Sequence, residues 1–216
     1  MRDPLQSCGP PPDPCLNSVS LSPGGGGGSA PDCSPIIVDV GGNGFQLTSA
    51  ADGVLFDITG SGRPIMVAWP ARGAANAFLV LDRNRDGVIN SGAELFGNFS
   101  PQPPSANPNG FLALAQFDDP SRGGNGDGLI DERDAVFSDL RLWIDSNHDG
   151  ISQKEELFKL PELGVYSVSL EFSESRRTDA FGNVFRYKAK VNPGLPDSHS
   201  AFNPRIAYDI FLQAMP

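Results

Sequence analysis

The chain has 216 residues, enough for one good-sized domain or two small ones, and carries a formal net charge of −10. Residues 82–156 hold fourteen Asp and Glu against six Lys and Arg, a local balance of −8 on about a third of the chain. That sign argues against DNA, RNA or anionic lipid as partners, which need clustered Lys and Arg. No apolar run approaches the roughly 18 residues needed to span a bilayer.

Residues 1–34 are poor in core-forming side chains and rich in Pro and Gly, with a run from Gly24 to Gly28. This composition predicts a flexible tail or linker, with an ordered domain over residues 35–216. The three cysteines, Cys8, Cys15 and Cys33, all lie in this stretch. One disulfide plus a free thiol is the simplest oxidised state. Cysteines confined to a tail fit a piece of an exported protein, so the expected location is secreted or cell-surface. The start, Met-Arg-Asp-Pro, lacks the apolar core of a secretory signal. Export by another route, a misplaced start and a fragment of a longer chain all fit that start equally.

From Pro35 the predicted elements follow in order. Ile36, Ile37 and Val38 read as a buried strand leading into Asp39 and the loop to Gly44. Val54, Leu55 and Phe56 lead in the same way into Asp57, Thr59, Ser61 and Gly62. Both loops read as weakened acidic loops, too poor in charge for tight ion binding, and therefore as glycine-rich strand turns. Residues 65–69 and 78–81 are further strands, and the Pro- and Asn-rich residues 98–110 form an exposed loop. Helices are expected over 111–117, 132–140 and 154–160, with a strand over 141–144 between the last two. Val168, Leu170 and Phe172 alternate with polar residues, as do Phe185, Tyr187, Ala189 and Val191, predicting two half-buried strands joined by a turn at 179–183. A last strand spans 208–212. The expected class is α+β: short strands and helices around acidic loops, with a C-terminal antiparallel β portion.

Three acidic loops carry the chemistry. Oxygen ligands at alternate positions, then glycine, then a residue offering its carbonyl, is how a short loop wraps a hard cation. The third loop is the most regular, with Asp145, Asn147 and Asp149, then Gly150, the Ile151 carbonyl and Glu156 at positions 1, 3, 5, 6, 7 and 12. Its eighth position is Ser152, where an aliphatic residue normally packs toward a partner loop. The first loop offers Asp82, Asn84, Asp86 and the Val88 carbonyl, and its terminal acid, Glu94, arrives one residue late. The second offers Asn125, Asp127, the Leu129 carbonyl and Asp134, but Gly123 stands in its first position. Phe117-Asp118 repeats the apolar-then-Asp junction of the other two loops, so Asp118 is expected to serve as first ligand across an insertion. Calcium, larger than magnesium and tolerant of seven oxygens, is the expected ion.

The runs LVLDRNRDGVINSGAELFG (79–97) and LRLWIDSNHDGIS (140–152), with the two weak loops upstream, resemble the calcium-dependent self-processing module of FrpC-type RTX proteins. The resemblance extends from about Pro35 to Leu170. It implies an exported bacterial module that folds on meeting extracellular calcium and then cleaves an Asp-Pro bond just before the first strand. Here Ser34-Pro35 occupies that place, while Asp119-Pro120 lies inside the second loop. No other catalytic constellation is present. The leading expectation is a structural or accessory module stabilised by about three calcium ions, with no catalytic residues. Calcium-triggered self-processing is the alternative.

Overall fold

A computed structural model describes residues 33–194 and 205–215; the expected tail, apart from Cys33 and Ser34, lies outside the described residues. Eleven strands follow in chain order: β1 (Ile36–Asp39), β2 (Val54–Phe56), β3 (Ile65–Val67), β4 (Asn76–Val80), β5 (Leu129–Asp131), β6 (Arg141–Trp143), β7 (Leu157–Phe158), β8 (Ser167–Thr178), β9 (Val184–Val191), β10 (Ile206–Phe211) and β11 (Ala214–Met215). Among the described residues one α-helix, α1 (Gly110–Ala115), lies between β4 and β5. Short 3-10 turns occur at Pro120–Arg122, Ala135–Ser138, Lys154–Glu156 and Leu160–Leu163.

Eight strands form one antiparallel sheet in the order β5-β8-β9-β10-β1-β4-β6-β7, which curls into a half-barrel. A smaller antiparallel sheet, β11-β3-β2, packs on one of its faces. The central strands are apolar on both sides because both sides are covered. Ile36, Val38, Ala77 and Leu79 point into a core shared with α1, whereas Ile37, Phe78 and Val80 point toward the small sheet. Trp69 and Trp143 lie in the second core, ring centroids 5.5 Å apart.

The architecture is therefore antiparallel β and not α+β, and the reason lies at the loop exits. The residues after the first loop turn back along β4: Leu81 N–H donates to the Glu94 carbonyl at 2.9 Å, and Leu95 bridges Val80. After the third loop, Ile144 N–H donates to the Glu156 carbonyl at 3.0 Å and β7 pairs with β6. Backbone groups taken by a neighbouring strand cannot make a helical ladder. The expected helix over 154–160 is accordingly a three-residue 3-10 turn and strand β7, and that over 132–140 shrinks to Ala135–Ser138. The helix expected over 111–117 forms as α1, capped by the Asn109 side chain, which accepts from Leu112 N at 3.0 Å.

Two residues ahead of Pro35 belong to the described structure. Cys33 and Ser34 are buried, Cys33 is disulfide-bonded, and its carbonyl accepts from Leu212 N–H at 3.0 Å. The turn expected at 179–183 joins β8 to β9, with the Asp179 carboxylate accepting from the Asn183 amide at 2.9 Å.

Candidate metal centre

Each acidic loop begins where an apolar element ends, so its first Asp is placed by the core and the loop itself projects outward. Asp82 follows β4, Asp118 follows α1 and Asp145 follows β6. In each loop the amide of the sixth residue donates to this Asp: Gly87 at 2.9 Å, Gly128 at 2.8 Å and Gly150 at 2.8 Å. The fifth residue's amide donates to its other oxygen: Asp86 at 3.2 Å, Asp127 at 3.2 Å and Asp149 at 3.1 Å. The alternate oxygens repeat as well. Asn84, Asn125 and Asn147 accept from the amide two residues on, as do Asp86, Asp127 and Asp149. The chain turns left-handed at the fourth and sixth positions of all three loops, with Arg85 and His148 at φ 60° and Gly126 at φ 73° in the fourth. A non-glycine residue held there costs about 1–2 kcal/mol.

Asp118 takes the place of Asp82 and Asp145 although five residues are inserted behind it. The insertion folds as the 3-10 turn Pro120–Arg122, and Gly124 then lies directly on the Asp118 backbone, leaving no room for a Cβ. The two weak loops share the same frame: Asp39 accepts from Gly44 N at 2.7 Å and Asp57 from Gly62 N at 2.7 Å. Asp57 also accepts from the fifth residue, Ser61 N at 2.9 Å, whereas the other oxygen of Asp39 accepts from the fourth, Gly42 N at 2.9 Å.

The loops diverge at their terminal acids. Oxygens of Asp82, Asp86 and Glu94 lie within 4.8 Å of one another. Glu94 is buried; its Oε2 accepts from Asn90 N at 2.9 Å, and its Oε1 has no donor. Glu156, the terminal acid of the regular loop, is otherwise engaged. Its Oε1 accepts from the Ser146 amide and hydroxyl at 2.9 and 2.8 Å, and its Oε2 from Trp143 Nε1 at 3.3 Å. Asp145 accepts from Trp69 Nε1 at 2.8 Å. In the second loop Asp134 accepts from Asn125 and Asp131 amides, while Arg133 reaches both Asp127 and Asp131 at 2.5 Å. The Ile151 carbonyl accepts from Gln153 N at 3.0 Å, and Val88 and Leu129 sit at the matching seventh positions.

The chain matches the SPM domain model over residues 36–197. The chain belongs to the SPM domain family. This SPM domain is also 38% identical over 153 residues to a curated relative, "Iron-regulated protein FrpA" of Neisseria meningitidis serogroup C, a match covering 69% of the chain and 13% of that relative. The expected kinship with FrpC-type modules thus holds as a relationship to FrpA-like proteins, and the family match runs beyond Leu170 through both long strands β8 and β9.

Charge crowding in the SPM domain is greatest where the terminal acids are buried. Burial pushes the Glu94 carboxyl above the usual range, and Asp86 and Asp82 add to the rise. Asp134 is raised by burial, then by Asp118 and Asp131. Arg133 holds Asp131 low through their hydrogen bond. The two tryptophan donors were not foreseen as partners of the loop acids. Their signal is general: a buried indole N–H requires an acceptor. The first and third loops also meet. Ser152, at the eighth position, accepts from Ile89 N at 2.6 Å and donates to the Ile89 carbonyl at 3.2 Å, joining equivalent positions of the two loops.

Proposed function

We propose that this SPM domain is an exported bacterial calcium-binding module in which ions held by the acidic loops stabilise the fold. The supporting observation is the first loop, where three carboxylates converge within 4.8 Å and a buried Glu94 oxygen has no donor. Carboxylates so placed repel one another, and a divalent cation turns that cost into attraction. Asp82, Asn84, Asp86, the Val88 carbonyl and Glu94 would hold the ion. Asp118, Asn125, Asp127, the Leu129 carbonyl and Asp134 form the corresponding second set, and Asp145, Asn147, Asp149, the Ile151 carbonyl and Glu156 the third. The first loop fills first, because Glu156 and Asp127 already have protein donors. Binding and folding are then coupled, so that the domain is looser in a low-calcium compartment than outside the cell.

Calorimetric calcium titration with parallel circular dichroism tests this reading. Fewer than two ions bound, or no gain of structure, overturns it. Incubation with and without millimolar calcium addresses self-processing: an intact chain is expected, and a calcium-dependent break at Asp119-Pro120 would replace the structural role with a cleaving one.

A further inference from the structure

We infer that the domain carries a second, cationic site: a groove beside the first acidic loop that docks an acidic peptide bearing apolar side chains. Two cavities of about 350 and 480 Å³ adjoin there, sharing Asp82, Arg85 and Asp139 in their walls. The first adds Arg83 and Arg122, and the second adds Arg141 and Lys154. Five of the six basic residues of segment 82–156 therefore face one groove, with only two of its fourteen acids. A solvated surface on a segment of charge −8 would intersperse the two signs; here they are sorted.

None of the five lies within ion-pair distance of a carboxylate among the described residues, whereas Arg133, the one base of the segment outside the groove, pairs with Asp127 and Asp131. Arg141 donates to the neutral carbonyls of Ser138 and Leu140. Arg83 donates to the Ala93 carbonyl at 2.7 Å, lies over the Phe96 and Phe117 rings, and leaves Nη2 buried without a partner. Bases gathered in excess over acids cost free energy that an anionic ligand recovers. Leu81, Phe117 and Val136 wall one cavity, Ile89 and Leu157 the other. Asp82 and Asp139 interrupt the basic track. Separated bases between apolar walls match the spaced carboxylates and side chains of a peptide, and not the unbroken charge of a polyanion.

Fluorescence anisotropy of the full chain with a labelled short peptide of Glu, Leu and Phe tests this. Saturable binding is expected, weakened roughly tenfold or more by combining Arg122→Gln with Lys154→Gln, a loss in the range of rim-charge effects. Both side chains are exposed and make no ion pair, so the fold should tolerate the change. Arg63→Gln, far from the groove in sequence and absent from its walls, should leave binding unchanged. No saturable binding to the unaltered chain, equal weakening by Arg63→Gln, or tighter binding of inorganic polyphosphate than of the peptide would each overturn the proposal.

Discussion

Glu94 has one oxygen held by the Asn90 amide and the other buried without a donor, close to Asp82 and Asp86. Glu94→Gln removes the charge that completes the first loop. Calcium affinity there should fall about tenfold or more, which is ~1.4 kcal/mol. The chelated protein should instead gain stability, because a crowded buried charge is gone. Calorimetry and urea unfolding in chelator measure the two effects, and a loss of stability in chelator would show Glu94 to be a structural acceptor only. A second buried acid gives a pH dependence. Asp209 is fully buried and its carboxyl is pushed up to about 6, chiefly by burial, with Ser34, the Gly110 amide and Arg186 offsetting part. Its folded-state pKa lies above the unfolded value, so the unfolded chain sheds this proton first and stability falls as pH rises from about 4 to about 6. The full shift corresponds to roughly 3 kcal/mol. Asp209→Asn should flatten that segment of the stability–pH curve and raise stability at pH 7. An unchanged slope between pH 4 and 6 would show that Asp209 is not its source.

At the scale of elements, the first and third loops are hairpin tips, whereas the second runs from α1 into β5. Strand pairing replaces the helices expected after the second and third. Apolar residues at 135, 136 and 140 resemble a helical face, but Leu140 and Leu142 belong to the entry into β6 and its core contacts. The loop interiors were legible because their hydrogen bonds close within about six residues, so composition and spacing carry them. Asp118 bonds amides eight to ten residues on and was legible instead through its apolar-Asp junction. The preference of Glu156 for Ser146 and Trp143 was not, since the second of these bonds depends on how β6 faces the core. Ser152 is an element-scale link between two loops 63 residues apart. Ser152→Ala strands the buried Ile89 amide and should cost about 1–3 kcal/mol. It should also make the first and third loops bind calcium independently, which stepwise titration of the variant against the unaltered chain would read. Cooperativity that survives the change would place the coupling elsewhere.

For the whole molecule, the −8 segment is spread over loops that join elements of a single curled sheet, so neutralising it acts on the sheet's cohesion. Under the proposed function each occupied site adds about 1.4 kcal/mol per tenfold rise in calcium above its dissociation constant. The melting temperature should therefore climb with calcium and drop on chelation. A melting temperature indifferent to calcium would separate the loops from stability altogether.

The residues alone determine the five loop frames, the Asp that opens each, the two long alternating strands and the kinship with FrpC-type modules. These rest on contacts within a few residues or on a period of two. Tertiary structure alone decided that the class is antiparallel β, because strand neighbours claim the backbone groups that helices would need. It also decided which acids converge. Asp82, Asp86 and Glu94 come together, while Glu156 turns to Trp143 and Asp145 to Trp69. Those choices depend on partners brought from distant positions into one core, and spacing along the chain does not encode them.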